Sequence, residues 1–374
     1  MTKASFRHLW LALSPHGFGH AAMTAPVVNE LRRRRPGLRL TIQTGVPRAF
    51  LETRYGTDFT YVGEIPDFGL RMRSSTEIDL DASARGYAEL HADWPAVVER
   101  EAQRLLAAAP DLVLANVPYV TIAAAARAGI PVVALSSLQW ADIYRHYLGD
   151  RPEAARVGAE MAEAYNRAAA FLRVTPAMAM PSIENLVEIG PVGTCGTDRK
   201  GELWAALGVE EGTHIGLIAF GGIDHALDFR GWPVLPGWLW LSSLELPAGR
   251  LDFRPWTCAG LSFSDVLASA DVVVTKPGYG TFVEAAMAGV SVLYVARPDW
   301  PECPPLDDWL CRHTRALPVD IETLLGSGLE LQLHKLFSLQ KPPVALPCGN
   351  DQGAFALERM LDEIHQSAKE VESR

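Results

Sequence analysis

Short, continuous apolar segments alternate with helical patterns along almost the whole chain, and this alternation constrains the fold more than any other feature. Apolar segments without polar alternation are typical of strands in a parallel sheet that helices cover on both faces. In the first half of the chain the predicted strands are 8–14, 38–44, 111–117, 131–137 and 171–176. The first half therefore predicts an α/β domain.

The segment VEIGPVGTCGT, residues 187–197, interrupts the alternation with glycine, proline and threonine. A second series of predicted strands follows at 214–222, 237–243, 251–256, 271–276 and 291–297. Two such series predict two facing, doubly wound, Rossmann-like domains, whose ligands are expected at the carboxyl ends of the strands. We predict an acceptor-side domain at 1–188, a donor domain at 189–350 and, at 351–374, a helix that packs back on the first domain.

Helical patterns separate the predicted strands. They cover 20–35, 97–109, 119–128, 262–270, 281–289 and 352–369. Pro95 is expected to break or start a helix. The region 64–90 has mixed polarity and is predicted to be a loop that lines the acceptor side.

The composition excludes several classes of function. The chain has 374 residues with 48% hydrophobic and 21% charged residues, the balance of a soluble globular protein. A net charge of −10 argues against general nucleic-acid binding, which requires a basic surface. No apolar run reaches the roughly 18 residues that a transmembrane helix requires. We expect a cytoplasmic protein without a transmembrane segment; its oligomeric state is open.

Two smaller features favour structural explanations. The cysteines are five and scattered, without a C-x-x-C pair, which predicts reduced thiols and neither a disulfide framework nor a zinc site. The basic cluster 32–35 falls where a helix is expected to end, and cations there complement the helix dipole. A contact with an anionic membrane is the alternative for this cluster.

The stretch SPHGFGHAA, residues 14–22, follows the first predicted strand. Gly17, Gly19 and Ala22 satisfy the dinucleotide pattern G-x-G-x-x-G/A, but no acidic residue ends the second strand, where a ribose would need one. The glycines place His20 at a helix N-terminus, which keeps an imidazole neutral and able to accept a proton from a substrate hydroxyl. The alternative is a capping or core histidine. His16 is a weaker candidate for the same role.

Two glycine-rich turns follow strands of the second half. Gly221 and Gly222 can point backbone N–H groups at an anion, although a plain tight turn would look the same. In TKPGYGTFVEA, residues 275–285, a strand runs through a turn into a helix, which suits a diphosphate, and Glu284 lies one helical turn beyond Gly280. The candidate donor-binding residues of this turn are Lys276, Gly278, Tyr279, Gly280, Thr281 and Glu284.

With these motifs the chain resembles the GT-B glycosyltransferases. It is most similar to the glycosyltransferase-like N-terminal region of L-arabinokinases and related bacterial proteins. HGFGHA (16–21), LQWADIYRHY (138–147), FGG (220–222) and KPGYGTFVEA (276–285) carry the resemblance, which spans about 8–365. The sequence ends at Arg374 without a sugar-kinase domain, so the kinase activity of L-arabinokinases is not expected.

The resemblance implies a role for each matching residue. His20 matches a general base for the acceptor hydroxyl, Glu284 an acid that holds the ribose, and Glu302 an acidic position near donor-sugar hydroxyls. Gly278, Gly280 and Thr281 match the donor-phosphate loop, with Gly221 and Gly222 opposite. Asn116 departs from the family, where an aspartate can pair with the base. Asp351-Gln352 resembles the hydroxyl-binding pair of secondary-metabolite glycosyltransferases, but its place at a helix start favours capping.

We therefore predict a metal-independent glycosyltransferase that moves a sugar from a nucleoside-diphosphate sugar, expected to be a UDP-sugar, to a hydroxyl acceptor. No cofactor beyond this co-substrate is expected. A histidine base suits inversion, although the sequence does not settle the stereochemistry, and the acceptor is not identified. The alternatives are a nucleotide-sugar-binding protein without turnover, acting as a sensor or partner module, and a nucleotide-sugar epimerase.

Overall fold

The computed structural model describes residues 7–73, 77–220, 229–244 and 246–372. Within these ranges the chain is an α/β protein with one seven-stranded and one six-stranded parallel sheet. The first sheet consists of β1 (His8–Leu13), β2 (Arg39–Gln43), β3 (Thr60–Val62), β4 (Leu112–Asn116), β5 (Val132–Ser136), β6 (Ala170–Val174) and β7 (Leu186–Ile189). The second consists of β8 (His214–Ala219), β9 (Trp238–Ser242), β10 (Phe253–Pro255), β11 (Val272–Thr275), β12 (Ser291–Val295) and β13 (Ala316–Val319).

Helices connect most of these strands. In the first half they are α1 (Gly19–Arg34), α2 (Arg48–Tyr55), α3 (Leu80–Leu90), α4 (Trp94–Ala108), α5 (Tyr119–Arg127), α6 (Trp140–Leu148) and α7 (Ala154–Asn166). In the second half they are α8 (Lys200–Leu207), α9 (Phe263–Ala268), α10 (Tyr279–Ala288), α11 (Cys303–His313), α12 (Ile321–Leu324), α13 (Leu329–Ser338) and α14 (Cys348–Glu372). Among the described residues, none of these helices has the length and apolar character needed to span a membrane.

Both sheets are doubly wound. The strand order is β3-β2-β1-β4-β5-β6-β7 in the first and β10-β9-β8-β11-β12-β13 in the second. The central strands are buried along their whole length, including all of β1, β4 and β5. This confirms the predicted class, because strands buried on both faces lack polar alternation. The direction of winding reverses between β1 and β4 in the first sheet, and between β8 and β11 in the second.

Three short strands were not predicted. β3 and β13 lie at sheet edges and β7 at the edge opposite β3, where exposed positions dilute the apolar signal. β13 also contains Pro318, which an edge strand tolerates because one side of its backbone has no neighbour to bond. β7 overlaps the start of the segment 187–197, which was predicted only to interrupt the alternation of strands and helices.

The region 64–90 was predicted to be a loop, and this was wrong for its second half. α3 begins after Asp79, whose carboxylate accepts the backbone N–H of Ala82 at 2.9 Å. Pro95 was expected to break or start a helix, and it lies in the first turn of α4, where a missing N–H costs nothing.

The described residues form two compact units. The first contains 7–73, 77–192 and 348–372, and the second contains the described part of 193–347. α14 belongs to the first unit and packs against α1. Arg34 and Arg35, at the end of α1, form ion pairs with Glu358 of α14, with Nε of Arg35 at 2.7 Å. The basic cluster is therefore partly neutralised by α14.

The pair Asp351-Gln352 does not cap a helix, because α14 begins three residues earlier. Asp351 pairs instead with Arg34. Gln352 accepts the backbone N–H of Gly190 through Oε1 at 2.7 Å. Both side chains thus hold α14 to the rest of the first unit.

Candidate functional site

The reversal of winding in the first sheet brings two chain segments side by side. β1 and β4 pair in parallel, with Leu13 opposite Asn116. The loop after β1 leads into α1 and carries His16 and His20, and Asn116 is the last residue of β4. In open α/β sheets, ligands bind at such a reversal, outside the carboxyl ends of the strands.

The turn after β1 depends on one of its two glycines. Gly17 has φ of 85°, a left-handed conformation that favours glycine, and its N–H bonds to the carbonyl of Pro15 at 2.8 Å. Gly19 is exposed, and a Cβ atom placed there would meet no atom within 4 Å. Gly17 therefore shapes the turn, whereas Gly19 leaves the start of α1 open.

His20 is buried, with 6% of its surface exposed, and its Nδ1 lies 2.7 Å from Oδ1 of Asn116. The amide of Asn116 is oriented by a second bond, because its Nδ2 donates to the carbonyl of Leu135 at 2.6 Å. Oδ1 can only accept, so Nδ1 of His20 carries the proton. The lone pair of the neutral ring is consequently at Nε2, where it can accept a proton.

The ionisation of His20 follows from its surroundings. Burial lowers the pKa of His20 to about 4, and the hydrogen bond that His20 donates to Asn116 raises this pKa by a smaller amount. The ring is therefore neutral near pH 7. Asn116 fixes the same tautomer that an aspartate would fix, but it adds no negative charge to stabilise an imidazolium ion.

The indole of Trp140 lies beside both histidines. The ring of His16 meets Trp140 edge-on at a centroid distance of 5.3 Å, and His20 lies 6.3 Å from the same indole. Gly69 packs directly on the indole, since a Cβ atom there would lie 2.3 Å from Cζ2 of Trp140. The segment around Gly69 and the start of α6 thus form one wall beside His20.

The second sheet has its own glycine-rich turn at the reversal of winding. The hydroxyl of Thr275, at the end of β11, donates to the carbonyl of Ala219, at the end of β8, at 2.5 Å. Gly278 precedes α10 with extended backbone, and Gly280 and Thr281 lie in its first turn. No side chain caps α10 in the described structure, and its first turn contains no acidic residue. Gly221 and Gly222 lie outside the described residues.

Lys276 is largely enclosed beside this turn. Burial lowers the pKa of Lys276 to about 8, and the positive charge of Arg297 acts in the same direction. Glu302 acts in the opposite direction, so it lies close enough to influence the ammonium group. Sequence reasoning missed Arg297, which is 7% exposed, because an arginine at the end of a strand is ordinarily expected to face solvent.

The two predicted acids of the donor side are both buried. Glu284, on α10, is 3% exposed. Burial of the Cys195 thiol is the main cause that raises its pKa, and the negative charge of Glu284 raises it further. Glu302 is 6% exposed and accepts the indole N–H of Trp300 at 3.3 Å. Buried carboxylates at the carboxyl edge of a sheet suit hydroxyl recognition, because their desolvated oxygens accept hydrogen bonds strongly. The glycine-rich turn therefore has a cation beside it, Lys276, and two buried carboxylates, Glu284 and Glu302, follow it in the chain.

A cavity of about 500 Å³ opens at the same edge of the second sheet. It lies beyond β12 and β13, next to the segment that carries Arg297. Its lining residues are Val295, Ala296, Pro318, Val319, Asp320, Ile321, Thr323 and Gln332. The lining is mainly apolar with a few polar groups.

Comparison with known proteins supports the fold assignment. No protein-family model matches the chain. A curated relative, L-arabinokinase from Arabidopsis thaliana, is 27% identical over an alignment of 327 residues that covers 82% of this chain. The chain spans only 30% of the length of that relative.

Solved structures share the architecture across the whole chain. The calicheamicin glycosyltransferase CalG4 superposes with a TM-score of 0.58 at 16% identity, covering 99% of this chain and 98% of the other. A protein from Listeria monocytogenes, assigned as a UDP-N-acetylglucosamine 2-epimerase, gives 0.51 at 13% identity, covering 97% of each chain. The structural neighbours are GT-B glycosyltransferases together with this epimerase, and the fold is the predicted GT-B fold.

Proposed function

We propose that this protein is a glycosyltransferase that moves a sugar from a nucleoside-diphosphate sugar to a hydroxyl acceptor. The hydrogen bond between Nδ1 of His20 and Oδ1 of Asn116 carries the proposal, because it leaves Nε2 unprotonated at the reversal of winding. The GT-B fold and the similarity to L-arabinokinase support it.

In the proposed reaction, Nε2 of His20 takes the proton of the acceptor hydroxyl. The acceptor oxygen forms a bond to the anomeric carbon, and the bond from that carbon to the diphosphate breaks. A general base of this kind lowers the barrier because the oxygen becomes more nucleophilic as it loses its proton. Attack by an activated hydroxyl suits inversion at the anomeric carbon.

The donor is proposed to bind the second unit. Lys276 and the N–H groups around Gly278, Gly280 and Thr281 would hold the diphosphate and stabilise its charge as it leaves, without a metal ion or other cofactor. Gly221 and Gly222 keep the part that the resemblance implies, opposite this loop, and Tyr279 keeps its place at the start of α10. Glu284 would accept from the ribose and Glu302 from the donor sugar.

Two finer proposals concern the nucleotide and the location. We propose a UDP-sugar as donor, in line with the UDP-sugar named for the Listeria monocytogenes protein of the same fold. We retain the cytoplasm as the location, since all five cysteines are free thiols in the structure.

Calorimetric titration with UDP, GDP, ADP and dTDP, and with their glucose conjugates, tests the donor assignment. We expect one diphosphate to bind the wild-type protein and to lose affinity in Gly280→Trp, whose indole would fill the turn. Gly201→Ala, on the exposed start of α8, is the matched control. If no diphosphate binds the wild-type protein, the donor assignment is wrong.

The alternative is a nucleotide-sugar-binding protein without turnover. One observation favours it: a buried His20 beside the neutral Asn116 has little to stabilise the charge it would acquire on taking a proton. His20→Ala separates the two functions. Loss of sugar transfer with unchanged donor affinity supports the transferase, whereas donor binding without transfer in either protein supports the alternative. Formation of a 2-epimer from UDP-N-acetylglucosamine would indicate an epimerase instead.

A further inference from the structure

A side chain of α7 reaches the carboxyl end of the first sheet. Tyr165 lies in the last turn of α7 and is fully buried. Its hydroxyl donates to the carbonyl of Val117 at 2.8 Å and accepts the backbone N–H of Trp140 at 3.1 Å. A phenolic hydroxyl can donate once and accept at the same time, so both bonds are satisfied together. This one hydroxyl therefore connects the residue after β4 to the first residue of α6.

Both segments that Tyr165 connects lie next to His20. Val117 follows Asn116, whose Oδ1 accepts the proton on Nδ1 of His20 at 2.7 Å. Trp140 places its indole beside the same imidazole, at a centroid distance of 6.3 Å. The hydroxyl of Tyr165 thus connects the hydrogen-bond partner of His20 with the wall beside it.

Tyr165 is itself held in place by packing. Its ring centroid lies 5.8 Å from that of Phe171 on β6 and 6.1 Å from that of Tyr119 on α5. Burial raises the pKa of Tyr165 well above its ordinary value, so the hydroxyl keeps the proton that it donates. A buried ring with a bonded hydroxyl is rigid, and it can fix the position of the backbone groups that it bonds.

The bond between His20 and Asn116 depends on such support, because a neutral amide forms a weaker hydrogen bond than a carboxylate would. The bond from Nδ2 of Asn116 to the carbonyl of Leu135, at 2.6 Å, orients the amide. The backbone that carries this amide is held one residue later, at the carbonyl of Val117. A shift of this backbone would move Oδ1 away from Nδ1 of His20.

We propose that Tyr165 is a positioning residue, whose hydroxyl keeps Asn116 and Trp140 in place around His20 so that Nδ1 holds the proton and Nε2 presents its lone pair. This inference rests on the proposed glycosyltransferase function and adds to it a residue that acts through Asn116. Position matters for a base, since a displacement of about 1 Å can lower a rate by about a hundredfold.

NMR of the ring nitrogens of His20 tests this role without a substrate. The two nitrogens are distinct, and their shifts show which of them carries the proton. We expect the proton on Nδ1 in the wild-type protein. In Tyr165→Phe a measurable share of the rings should carry it on Nε2, because Val117 and Trp140 have lost their common partner. Asn116→Ala, which removes the acceptor of His20, gives the signal for complete release.

Tyr119→Phe is the matched control for the loss of a buried hydroxyl. Tyr119 is fully buried like Tyr165, and its hydroxyl bonds to Nε2 of His91 at 2.8 Å. This variant should keep the wild-type tautomer of His20, even where its stability falls as far as that of Tyr165→Phe. In assays of sugar transfer, Tyr165→Phe should lower kcat by about tenfold or more and leave the KM of the donor unchanged.

The outcomes separate this inference from the proposed function. If the wild-type protein binds none of the four nucleoside diphosphates, the proposed function fails and this inference with it. If it binds one, and Tyr165→Phe keeps either the wild-type tautomer of His20 or the wild-type kcat, only the positioning role is overturned.

A second variant decides if Tyr165→Phe does not fold. Tyr165→para-aminophenylalanine keeps a donor for the carbonyl of Val117, but its nitrogen is a poor acceptor for the N–H of Trp140. Partial loss of the tautomer with the proton on Nδ1 of His20 supports the proposal, and a wild-type spectrum contradicts it.

Discussion

At the scale of single residues, Asn116 decides how His20 ionises. Asn116→Asp would place a carboxylate 2.7 Å from Nδ1 of His20, and we expect the pKa of His20 to rise by roughly 1 to 3 pH units. The variant should also lose stability by about 1–3 kcal/mol, because the donor to the Leu135 carbonyl is replaced by an acceptor. Histidine titration by NMR and chemical denaturation measure the two effects. An unchanged pKa of His20, with the titration of His8 as internal control, would contradict the proposed pairing.

The lowered pKa of His20 also predicts a pH dependence of stability. An unfolded histidine titrates near 6.5 and the folded one near 4, so the unfolded state binds more protons between these values. Stability from this group is present above pH 6.5 and is lost as the pH falls towards 4, by an amount on the order of 3 kcal/mol. His20→Gln should therefore lose less stability than the wild-type protein between pH 7 and pH 4, measured by urea denaturation.

The variants must be compared with the wild-type protein at each pH, because other buried groups change the stability with pH in the opposite direction. Burial raises the pKa of Asp67 to about 8, so its contribution decreases as the pH rises from about 4 to 8. His146→Gln, at an exposed position of α6, is the matched control for the loss of an imidazole. Parallel curves for His20→Gln and the wild-type protein would show that His20 is not held neutral by burial.

At the scale of elements, the wall beside His20 depends on Gly69 fitting against α6. Gly69→Ala would force its Cβ atom to within 2.3 Å of the Trp140 ring, which is buried and cannot move freely. Such overpacking costs about 1–3 kcal/mol, so we expect a corresponding loss in the free energy of unfolding. Gly201→Ala on α8, where a Cβ atom meets nothing within 4 Å, should be neutral or slightly stabilising. Equal stability of the two variants would contradict the packing described for this wall.

At the scale of the whole molecule, the two compact units have separate sheets, and the proposed donor residues belong to the second. Hydrogen exchange with and without the bound nucleoside diphosphate should therefore show new protection in 276–288, where the glycine-rich turn enters α10. Ligand binding stabilises the structure it contacts, by about 2.7 kcal/mol at a hundredfold excess over Kd. Residues 39–43 of β2, in the sheet of the first unit, are the internal control, and their protection should not change. Protection in the turn 14–22 without protection in 276–288 would show that the nucleotide binds the first unit, and this would contradict the proposed donor site.

How far the sequence predicted the structure depended on burial. Strands buried on both faces, such as β1, β4 and β11, were found because all but one of the positions in each strand are apolar. The short edge strands β3, β7 and β13 were missed, as were several helices, among them α3, because half-exposed elements carry mixed residues. The signal for α3 was present in Asp79, a helix-capping residue, within a region otherwise predicted to be a loop.

The sequence by itself determined the class of fold, the two series of strands, and the turns in which His20 and Lys276 lie, because these depend on local apolar patterns and on glycine. Only the tertiary structure decided what those residues can do. The pairing of His20 with Asn116 joins positions 96 residues apart, and the enclosure of Arg297 beside Lys276 depends on the pairing of two strands. Burial and long-range neighbours set the ionisation of a side chain, and neither is encoded in the residues next to it in the sequence.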